Sequence, residues 1–445
     1  MTKPNIIYIN SHDTGRYIQP YGHAIHTPNL QKLAEEGVLF RNNFCINPTC
    51  SPSRAALLTG SYPHENGMLG LAHRGFLLND YSQHLVCALK SAGYTTAQTG
   101  TQHVAVDTDG KEPWEICGFD QHLGKKHCGR SGAIEFLSNP PDQPFYLEVG
   151  FGNTHRGFPK LEDCPDDARY CLPPAPLPDT PETRQDMTRY KATARVLDQK
   201  IGDVLDALER SGEAENTLVI CTTDHGIAFP RMKCNLQDAG IGVLLIIRGP
   251  AFTKASAGKP CFSGGKVVDG MTSHLDIFPT ICEVAGIEPP PWLRGASLTP
   301  FLEGAEAIHD ELFFEVNYHA GYEPMRAVRT NRWKYIRRFD EKWPRPVLCN
   351  CDNGESKTVW MDHGWADQPV PREELYDLCF DPNEMRDLAN DPAHAETLRD
   401  MRDRLARWMK ETNDPLLNGP VPAPRGAKVT DTDSPSPNER IRTLE

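Results

Sequence analysis

The sequence contains no apolar run long enough to cross a bilayer, which takes about 20 residues. The longest apolar stretch, residues 241–247, stops at Arg248. No apolar leader precedes the first strand-like run at residues 5–9. We therefore expect a cytoplasmic protein with no membrane partner.

A surplus of basic residues is also missing. The 445 residues carry 47 Lys and Arg against 60 Asp and Glu, a formal net charge of −13. Surfaces that bind nucleic acid need a basic excess, so we expect no nucleic-acid partner. The hydrophobic fraction of 39% and the charged fraction of 24% exclude a wholly disordered chain and suffice for a buried core.

Paired cysteine motifs are absent as well. The 14 cysteines include no C-x-x-C pair, and Cys349 and Cys351 are too close together for a zinc knuckle. This pattern excludes a small disulfide scaffold and fits a reducing compartment, where most thiols are buried as small hydrophobic side chains. Cys50 stands apart because of the residues that follow it.

What the sequence does contain is an alternation of strand-like and helix-like segments over residues 1–304. Such alternation predicts an α/β domain with a large, mostly parallel mixed sheet between helices. The predicted strands are 5–9, 94–98, 145–150, 217–222 and 243–247, and the predicted helices are 28–37, 51–60, 81–92 and 186–211.

The pattern changes after residue 304. Residues 305–415 alternate like antiparallel strands and end in a predicted helix at 393–412, which indicates a smaller α+β subdomain. Residues 416–445 are rich in proline and poor in apolar anchors. We expect an extended tail there, able to wrap a second copy of the chain and so to support a homo-oligomer.

Polar clusters follow four of the predicted strands. They occupy residues 10–15, 100–103, 153–156 and 223–226. Because the carboxyl ends of parallel strands meet at one edge of a sheet, these clusters predict a single shared site.

Cys50 opens a predicted helix, with Arg54 four residues later. A helix N-terminus favours negative charge, and Arg54 lies one turn on, so its guanidinium can return toward the thiol. Taken alone, the residues fit either a low-pKa nucleophilic thiol or a buried thiol beside a capping serine.

The run Cys-Ser-Pro-Ser-Arg-Ala at 50–55, followed by Leu-Leu-Thr-Gly at 57–60, resembles the signature of the type I, formylglycine-dependent sulfatases of the alkaline phosphatase superfamily. The runs at 223–226, 326–336 and 374–382 extend the resemblance. It implies an alkaline phosphatase-like fold, oxidation of Cys50 to Cα-formylglycine by a maturation enzyme, and hydrolysis of sulfate esters or sulfamates of a small anionic sugar or aryl substrate.

The aldehyde explains the implied chemistry. In its hydrate, one hydroxyl is activated by a divalent metal and attacks sulfur, and loss of the proton from the other hydroxyl then releases sulfate. A plain thiol has no second hydroxyl and lacks this route.

The resemblance also implies a metal site at His12, Asp13, Asp224, His225 and Cys50 as formylglycine. The family usually has Asp where this chain has His12. This leaves open whether His12 binds the metal directly or contacts a residue that does. Calcium is the metal expected from the family. Nitrogen ligands shift preference toward manganese or zinc.

Four further residues match catalytic positions of the family. Arg54 is expected to contact the formylglycine or the metal-side carboxylates, His103 to hold the formylglycine hydroxyl, and Lys233 to bind a sulfate oxygen. His155 matches the histidine that contacts sulfate or protonates the leaving group. Thr101 replaces the lysine of the family pattern.

Substrate contacts are the least defined part of the pattern. Residues 70–74, which include His73 and Arg74, resemble a stretch of N-sulfoglucosamine sulfohydrolase-like members and are expected to contact an anionic sugar. Arg156 is a further candidate, and Arg74 or Arg156 is a candidate to replace the missing lysine. The alternative is that His73 and Arg74 are ordinary surface loop residues.

Two other functions fit the same motifs. One is a phosphonate or phosphate monoester hydrolase on the same scaffold, since such relatives use formylglycine and often place a histidine on the metal. The other is a non-catalytic protein that binds sulfated glycans, which Thr101 and His12 would permit. Turnover of matched substrates separates all three.

Overall fold

A mixed eight-stranded sheet forms the centre of the protein, as seen in a computed structural model that describes residues 3–124, 129–250, 261–340 and 342–445. The strands of the chain are β1 (Asn5–Ser11), β2 (Val38–Phe40), β3 (Asn43–Phe44), β4 (Thr95–Gly100), β5 (Gln121–His122), β6 (Phe145–Gly150), β7 (Thr217–Thr223), β8 (Leu245–Arg248), β9 (Lys266–Val268), β10 (Thr272–Ser273), β11 (Leu312–Tyr318), β12 (Tyr322–Arg329), β13 (Trp333–Arg338), β14 (Glu373–Asp377), β15 (Lys428–Thr430) and β16 (Ile441–Thr443).

The central sheet has the order β5-β4-β6-β1-β7-β8-β2-β9. Neighbouring strands are parallel except on the two sides of β8, where β7 and β2 pair with it in antiparallel fashion. The mostly parallel mixed sheet expected from the sequence is confirmed. Short β3 pairs with β10 beside it.

Helices cover both faces of this sheet, which is why β1 is apolar along its whole length. Ile7 and Ile9 pack under α1, α6 and α7, whereas Ile6 and Tyr8 pack under α2, α4 and α9. The helices are α1 (Pro28–Glu36), α2 (Cys50–Thr59), α3 (Pro63–Asn66), α4 (Leu85–Ser91), α5 (Pro113–Cys117), α6 (Gly129–Ser138), α7 (Pro181–Ser211), α8 (Asp238–Ile241), α9 (Ile277–Ala285), α10 (Glu355–Asp362) and α11 (Ala395–Glu411).

One predicted helix is divided in the structure. Residues 81–92 were expected to be continuous, but a short 3₁₀ turn, Tyr81–Gln83, comes first. The side chain of Asp80 accepts a hydrogen bond from the Ser82 amide at 2.8 Å, and Nδ1 of His84 accepts one from the Val86 amide at 3.2 Å. Two successive N-caps therefore restart the helix.

The C-terminal part contains a separate antiparallel sheet with the order β11-β12-β13-β14, covered by α11. This confirms the expected α+β subdomain. The sheet packs directly on the first domain, where Phe314 and Phe44 stack edge to face with ring centroids 6.0 Å apart.

The tail folds back on its own chain, which corrects the expectation of an extended segment. Strands β15 and β16 form a hairpin, and the Thr430 amide donates a hydrogen bond to the Ala320 carbonyl at 2.8 Å. The apolar anchors that the sequence pattern concealed are Val421 and Ala427, both buried. A homo-oligomer built through this tail stays a prediction.

In the part of the chain that the structure describes, no helix combines the length and the apolar character needed to cross a membrane.

Candidate active site

Cys50 is the first residue of α2 and lies in the interior, with only 4% of its surface exposed. The whole of α2 is buried, so the start of the helix is fixed against the edge of the central sheet. The Cys50 Sγ atom lies 3.4 Å from Nε2 of His225. The helix start and the loop after β7 therefore meet at one point.

Two carboxylates lie at this point because of the sheet register. Strands β1 and β7 are parallel neighbours that pair Ser11 with Thr223, so the residues that follow each strand lie side by side. The Asp13 amide donates a hydrogen bond to Oδ1 of Asp224 at 2.8 Å. Asp13 adopts a positive φ of 55°, which turns the chain at the strand end.

Two imidazoles complete the cluster. Nδ1 of His12 lies 2.6 Å from Oδ1 of Asp13 and 3.2 Å from Oδ2 of Asp224. Nδ1 of His225 donates to the Gly226 carbonyl at 3.0 Å, and its Nε2 atom lies 3.4 Å from Oδ1 of Asp13. Burial lowers the pKa of His12 to about 4, against the opposing effect of Asp224 and Asp13. Both rings are therefore suited to bind a cation.

These residues fit a divalent metal. Ligand atoms of His12, Asp13, Cys50, Asp224 and His225 all lie within 4.8 Å of one another, and all five residues are buried. Two carboxylates and two imidazoles in a closed space form a donor set that divalent cations bind.

Arg54 and Lys233 supply fixed positive charge. Arg54 donates from Nη2 to Oδ2 of Asp224 and to the Ser11 carbonyl, both at 3.0 Å. Nζ of Lys233 lies 3.0 Å from Oδ2 of Asp13. Burial alone would raise the pKa of Asp13, but Lys233 and the neighbouring imidazoles hold that pKa well below its usual range.

His103 and His155 extend the cluster outward. Nδ1 of His103 lies 3.3 Å from Nε2 of His12. The ring of His155 stands edge to face on His12 with centroids 4.6 Å apart, and His155 is exposed. The structure thus brings together His12, Asp13, Cys50, Arg54, His103, His155, Asp224, His225 and Lys233. Their individual roles stay predictions.

Two of the predicted substrate-binding residues, His73 and Arg74, differ in exposure and in their contacts. His73 is exposed, 6.5 Å from His103 between ring centroids. Arg74 donates to Oγ1 of Thr430 at 3.0 Å and to the Pro437 carbonyl at 2.6 Å, so it anchors the tail.

Arg156 also has other partners. Its guanidinium forms a two-bond ion pair with Asp186, at 2.9 and 2.8 Å, and lies against the rings of Phe158 and Phe229. The structure therefore gives Arg74 and Arg156 structural contacts and directs neither guanidinium into the cluster.

Two residues of the C-terminal subdomain join the site without any prediction from the sequence. Asp352 Oδ2 lies 2.9 Å from Nζ of Lys233. His319, in the turn between β11 and β12, is buried close enough to Lys233 and Asp352 for both charges to act on its ring. Neither residue belongs to a local motif. Only the tertiary fold brings them to Cys50, so the sequence alone offered no signal.

The environment of Cys50 decides between the two interpretations of its thiol. Burial raises the pKa of the Cys50 thiol, and the nearby carboxylates of Asp13 and Asp224 add to this against Lys233 and Arg54. The low-pKa nucleophilic thiol is therefore not the species that this site favours.

A mixed sheet carries an acid and imidazole cluster at the carboxyl ends of β1 and β7, and a small antiparallel subdomain closes it. This arrangement matches the alkaline phosphatase-like fold that the resemblance implies. Comparison with known proteins makes this specific. Residues 4–287 match the sulfatase family, and residues 259–364 match the C-terminal region of N-sulphoglucosamine sulphohydrolase. The chain belongs to the sulfatase family.

One relative is similar to this chain in sequence, and two solved structures share its fold. The chain is 32% identical to human N-sulphoglucosamine sulphohydrolase, over 89% of this chain and 88% of the human protein. A structure solved with its substrate D-glucosamine-2-N,6-O-disulfate superimposes with a TM-score of 0.69 at 20% identity, covering 94% of this chain and 99% of the other. A phosphonate monoester hydrolase from Silicibacter pomeroyi also gives a TM-score of 0.69 at 20% identity and covers 99% of both chains.

Proposed function

We propose that this protein hydrolyses the sulfamate or sulfate ester of a small sugar, with Cys50 acting as Cα-formylglycine. The observation that carries the proposal is the position of residue 50. It starts a buried helix and touches His225 within a cluster of two carboxylates, two imidazoles and a lysine. The identity to human N-sulphoglucosamine sulphohydrolase supports a sulfated amino sugar as substrate.

Formylglycine at position 50 would supply a hydrated aldehyde as nucleophile. An unmodified Cys50 would be a poor nucleophile, because burial raises the pKa of its thiol and so suppresses the thiolate. This supports the need for the modification. A maturation enzyme is therefore a required partner in this proposal.

His12, Asp13, Asp224 and His225 would hold the metal, which when bound supplies positive charge next to the nucleophile. Calcium is the metal expected from the family. The two imidazoles of this site favour Mn²⁺ or Zn²⁺, because calcium takes oxygen ligands.

Three other residues would orient a metal ligand, bind the sulfate group or protonate the leaving group. Arg54 fixes the Asp224 carboxylate through two hydrogen bonds, at 3.0 and 3.3 Å. Lys233 is held charged beside the site: burial would lower its pKa, but Asp13 and Asp352 raise it well above the usual value. An ammonium there is suited to bind a sulfate oxygen. His155, exposed beside His12, would donate a proton to the leaving group.

The test combines mass spectrometry and turnover. Protein produced together with a formylglycine-generating enzyme should contain the aldehyde at position 50 and should release sulfate from N-sulfoglucosamine or 4-nitrophenyl sulfate. Cys50→Ala should keep its fold by circular dichroism and lose activity by a factor on the order of 10³ or more. An unmodified Cys50, or full activity in Cys50→Ala, would contradict the proposal.

A phosphonate or phosphate monoester hydrolase is the second candidate, favoured by His225 on the metal side and by the fold shared with the phosphonate monoester hydrolase. Faster turnover of phenyl phosphonate than of the sulfur substrates would select it. Binding of sulfated sugar without turnover, in protein with verified formylglycine, would select the non-catalytic alternative.

A further inference from the structure

The Asp352 carboxylate is the one acidic group that the C-terminal subdomain places on Lys233 among the ion pairs of the described residues. The same ammonium touches Oδ2 of Asp13 at 3.0 Å, so a single lysine bridges the metal-side carboxylate and Asp352. Asp352 therefore lies one side chain away from Asp13, beside the ammonium that the proposed function assigns to a sulfate oxygen.

Within the described part of the chain, the carboxylate has one ion-pair partner, the Lys233 ammonium, and 17% of the Asp352 side chain is exposed. Its Oδ2 atom is buried and has no further hydrogen-bond donor in suitable geometry among the described residues. The segment that carries it is held by Lys357, whose Nζ donates to carbonyls of Leu348 at 2.9 Å and Cys351 at 2.7 Å. The backbone is thus anchored independently of the Asp352 side chain.

A polar group without a partner lies next to it. His319 is only 6% exposed, and its Nδ1 atom is buried with no hydrogen-bond partner in the described structure. Burial lowers the pKa of His319 well below its usual value, and Lys233 and Asp352 are the charges that act most on the ring. A buried imidazole with a free nitrogen beside a partly exposed carboxylate points to a ligand with polar groups.

The chemistry of the leaving atom decides what that ligand is. A carboxylate only accepts hydrogen bonds. The nitrogen that links sulfur to carbon in a sulfamate carries a hydrogen, whereas the bridging oxygen of a sulfate ester carries only lone pairs. The leaving atom is bonded to the same sulfur as the oxygen assigned to Lys233, so an acceptor 2.9 Å from that ammonium favours the sulfamate.

We propose that Asp352 is a specificity-determining residue that selects sulfamates over sulfate esters by accepting a hydrogen bond from the leaving nitrogen, with His319 closing the same side of the pocket. This rests on the proposed function. In the reaction, the S–N bond breaks, water supplies the oxygen that binds sulfur, and R–NH–SO₃⁻ plus H₂O gives R–NH₃⁺ plus SO₄²⁻. The ammonium product then faces the same carboxylate, a charge-assisted contact.

The experiment compares two aryl substrates that differ in one atom, N-(4-nitrophenyl)sulfamate and 4-nitrophenyl sulfate. The readout is the ratio of their kcat/KM values in formylglycine-containing enzyme. Asp352→Asn should lower the sulfamate-to-ester ratio at least about tenfold, the effect of losing one hydrogen bond to a charged acceptor. Asp352→Glu should restore part of the ratio, because it keeps the carboxylate.

The control is Asp367→Asn, which removes a carboxylate of the same subdomain that is 79% exposed, and it should leave the ratio within twofold of wild type. An effect transmitted only through Lys233 would change both substrates alike and leave the ratio constant in Asp352→Asn. That result, or a wild-type enzyme that hydrolyses the ester but not the sulfamate, overturns the assignment of Asp352 while the sulfatase function stands. Absence of turnover on both compounds overturns the proposed function and this inference with it.

Discussion

His12 is the residue at which this site departs most from its family. Its Nδ1 atom lies between the carboxylates of Asp13 and Asp224, 2.6 and 3.2 Å away. An imidazole in that position makes the site richer in nitrogen than the usual aspartate would, and nitrogen donors favour transition metals over calcium.

Changing His12 should therefore change the metal. His12→Asp is expected to shift the bound metal from Mn²⁺ or Zn²⁺ toward Ca²⁺ when apoprotein is dialysed against an equimolar mixture of the three. Elemental analysis by mass spectrometry measures the content without any activity assay. His26→Asp, at an exposed histidine outside the cluster, is the control. Equal calcium content in both variants would show that His12 is not a direct metal ligand.

A buried histidine away from the site gives a pH-dependent prediction. Burial lowers the pKa of His84 to about 3, and its Nε2 atom has no hydrogen-bond partner among the described residues. In the unfolded chain the pKa is about 6.5, so the unfolded state binds more protons as the pH falls. The contribution of neutral His84 is complete above pH 6.5 and is lost as the pH falls toward 3.

His84→Asn keeps an N-cap acceptor but removes the titration. From pH 7 to pH 5 the wild type should lose about 2 kcal/mol of unfolding free energy relative to this variant. Urea unfolding at both pH values measures the difference. A difference between the two proteins that does not vary with pH would show that His84 is charged or accessible in the folded state.

Most residues of the cluster follow a strand end or a helix start that the sequence marks clearly, and the resemblance to the family added Lys233. Asp352 and His319 had no such signal, since they reach Lys233 only through the packing of a second subdomain. Arg74 and Arg156 stay predictions for substrate contacts, because a loop arginine looks the same in sequence whether its partner is a substrate or another part of the chain.

At the scale of elements, the buried strands were predicted well. Strand β7, observed at Thr217–Thr223, matches the predicted 217–222, because strands covered on both faces are apolar throughout. Short edge strands such as β5 were missed, since Gln121 and His122 have no apolar alternation. The tail hairpin was missed because its few apolar anchors are separated by prolines.

The tail hairpin is linked to the segment that carries Asp352 by hydrogen bonds. The Pro435 carbonyl accepts a hydrogen bond from Lys357 at 2.7 Å, and Oγ of Ser436 accepts one from Asn353 at 3.1 Å. Asn353 directly follows Asp352, and Lys357 lies five residues after it. The tail therefore positions this segment through the residues around it.

Deleting residues 426–445 should loosen the segment and remove the acceptors of Arg74. We expect a lower Tm and a rise in KM for N-sulfoglucosamine that exceeds the change in kcat. Steady-state kinetics and thermal unfolding measure both. The control is Arg442→Ala, which breaks an ion pair of the tail. The arginine of this pair is 71% exposed, so the pair contributes at most about 1 kcal/mol to stability. Unchanged KM in the truncated protein would contradict a supporting role for the tail.

At the scale of the whole molecule, buried charge joins the two domains. Arg329 of β12 donates to Asp238 at 3.0 Å, and its guanidinium lies 4.4 Å from the centroid of the Phe44 ring. Lys334 of β13 also contacts Asp238. Because the antiparallel sheet covers residues of the first domain, neither part has a complete surface alone.

The two domains should accordingly unfold together, in a single calorimetric transition. Arg329→Ala leaves Asp238 with one cation fewer and should lower the free energy of unfolding by about 2–3 kcal/mol. Arg332→Ala, which breaks an ion pair whose arginine is 54% exposed, should cost at most about 1 kcal/mol. Two resolved transitions in the wild type would show that the subdomain is an independent unit.

The distribution of Asp352 and Cys50 over distant parts of the chain has an evolutionary consequence. The proposed nucleophile and metal ligands lie in the first domain, whereas the group proposed to face the leaving atom belongs to a short downstream segment anchored by its neighbours. A gene can therefore acquire a new substrate preference through drift or recombination in that one stretch, while its catalyst is inherited unchanged.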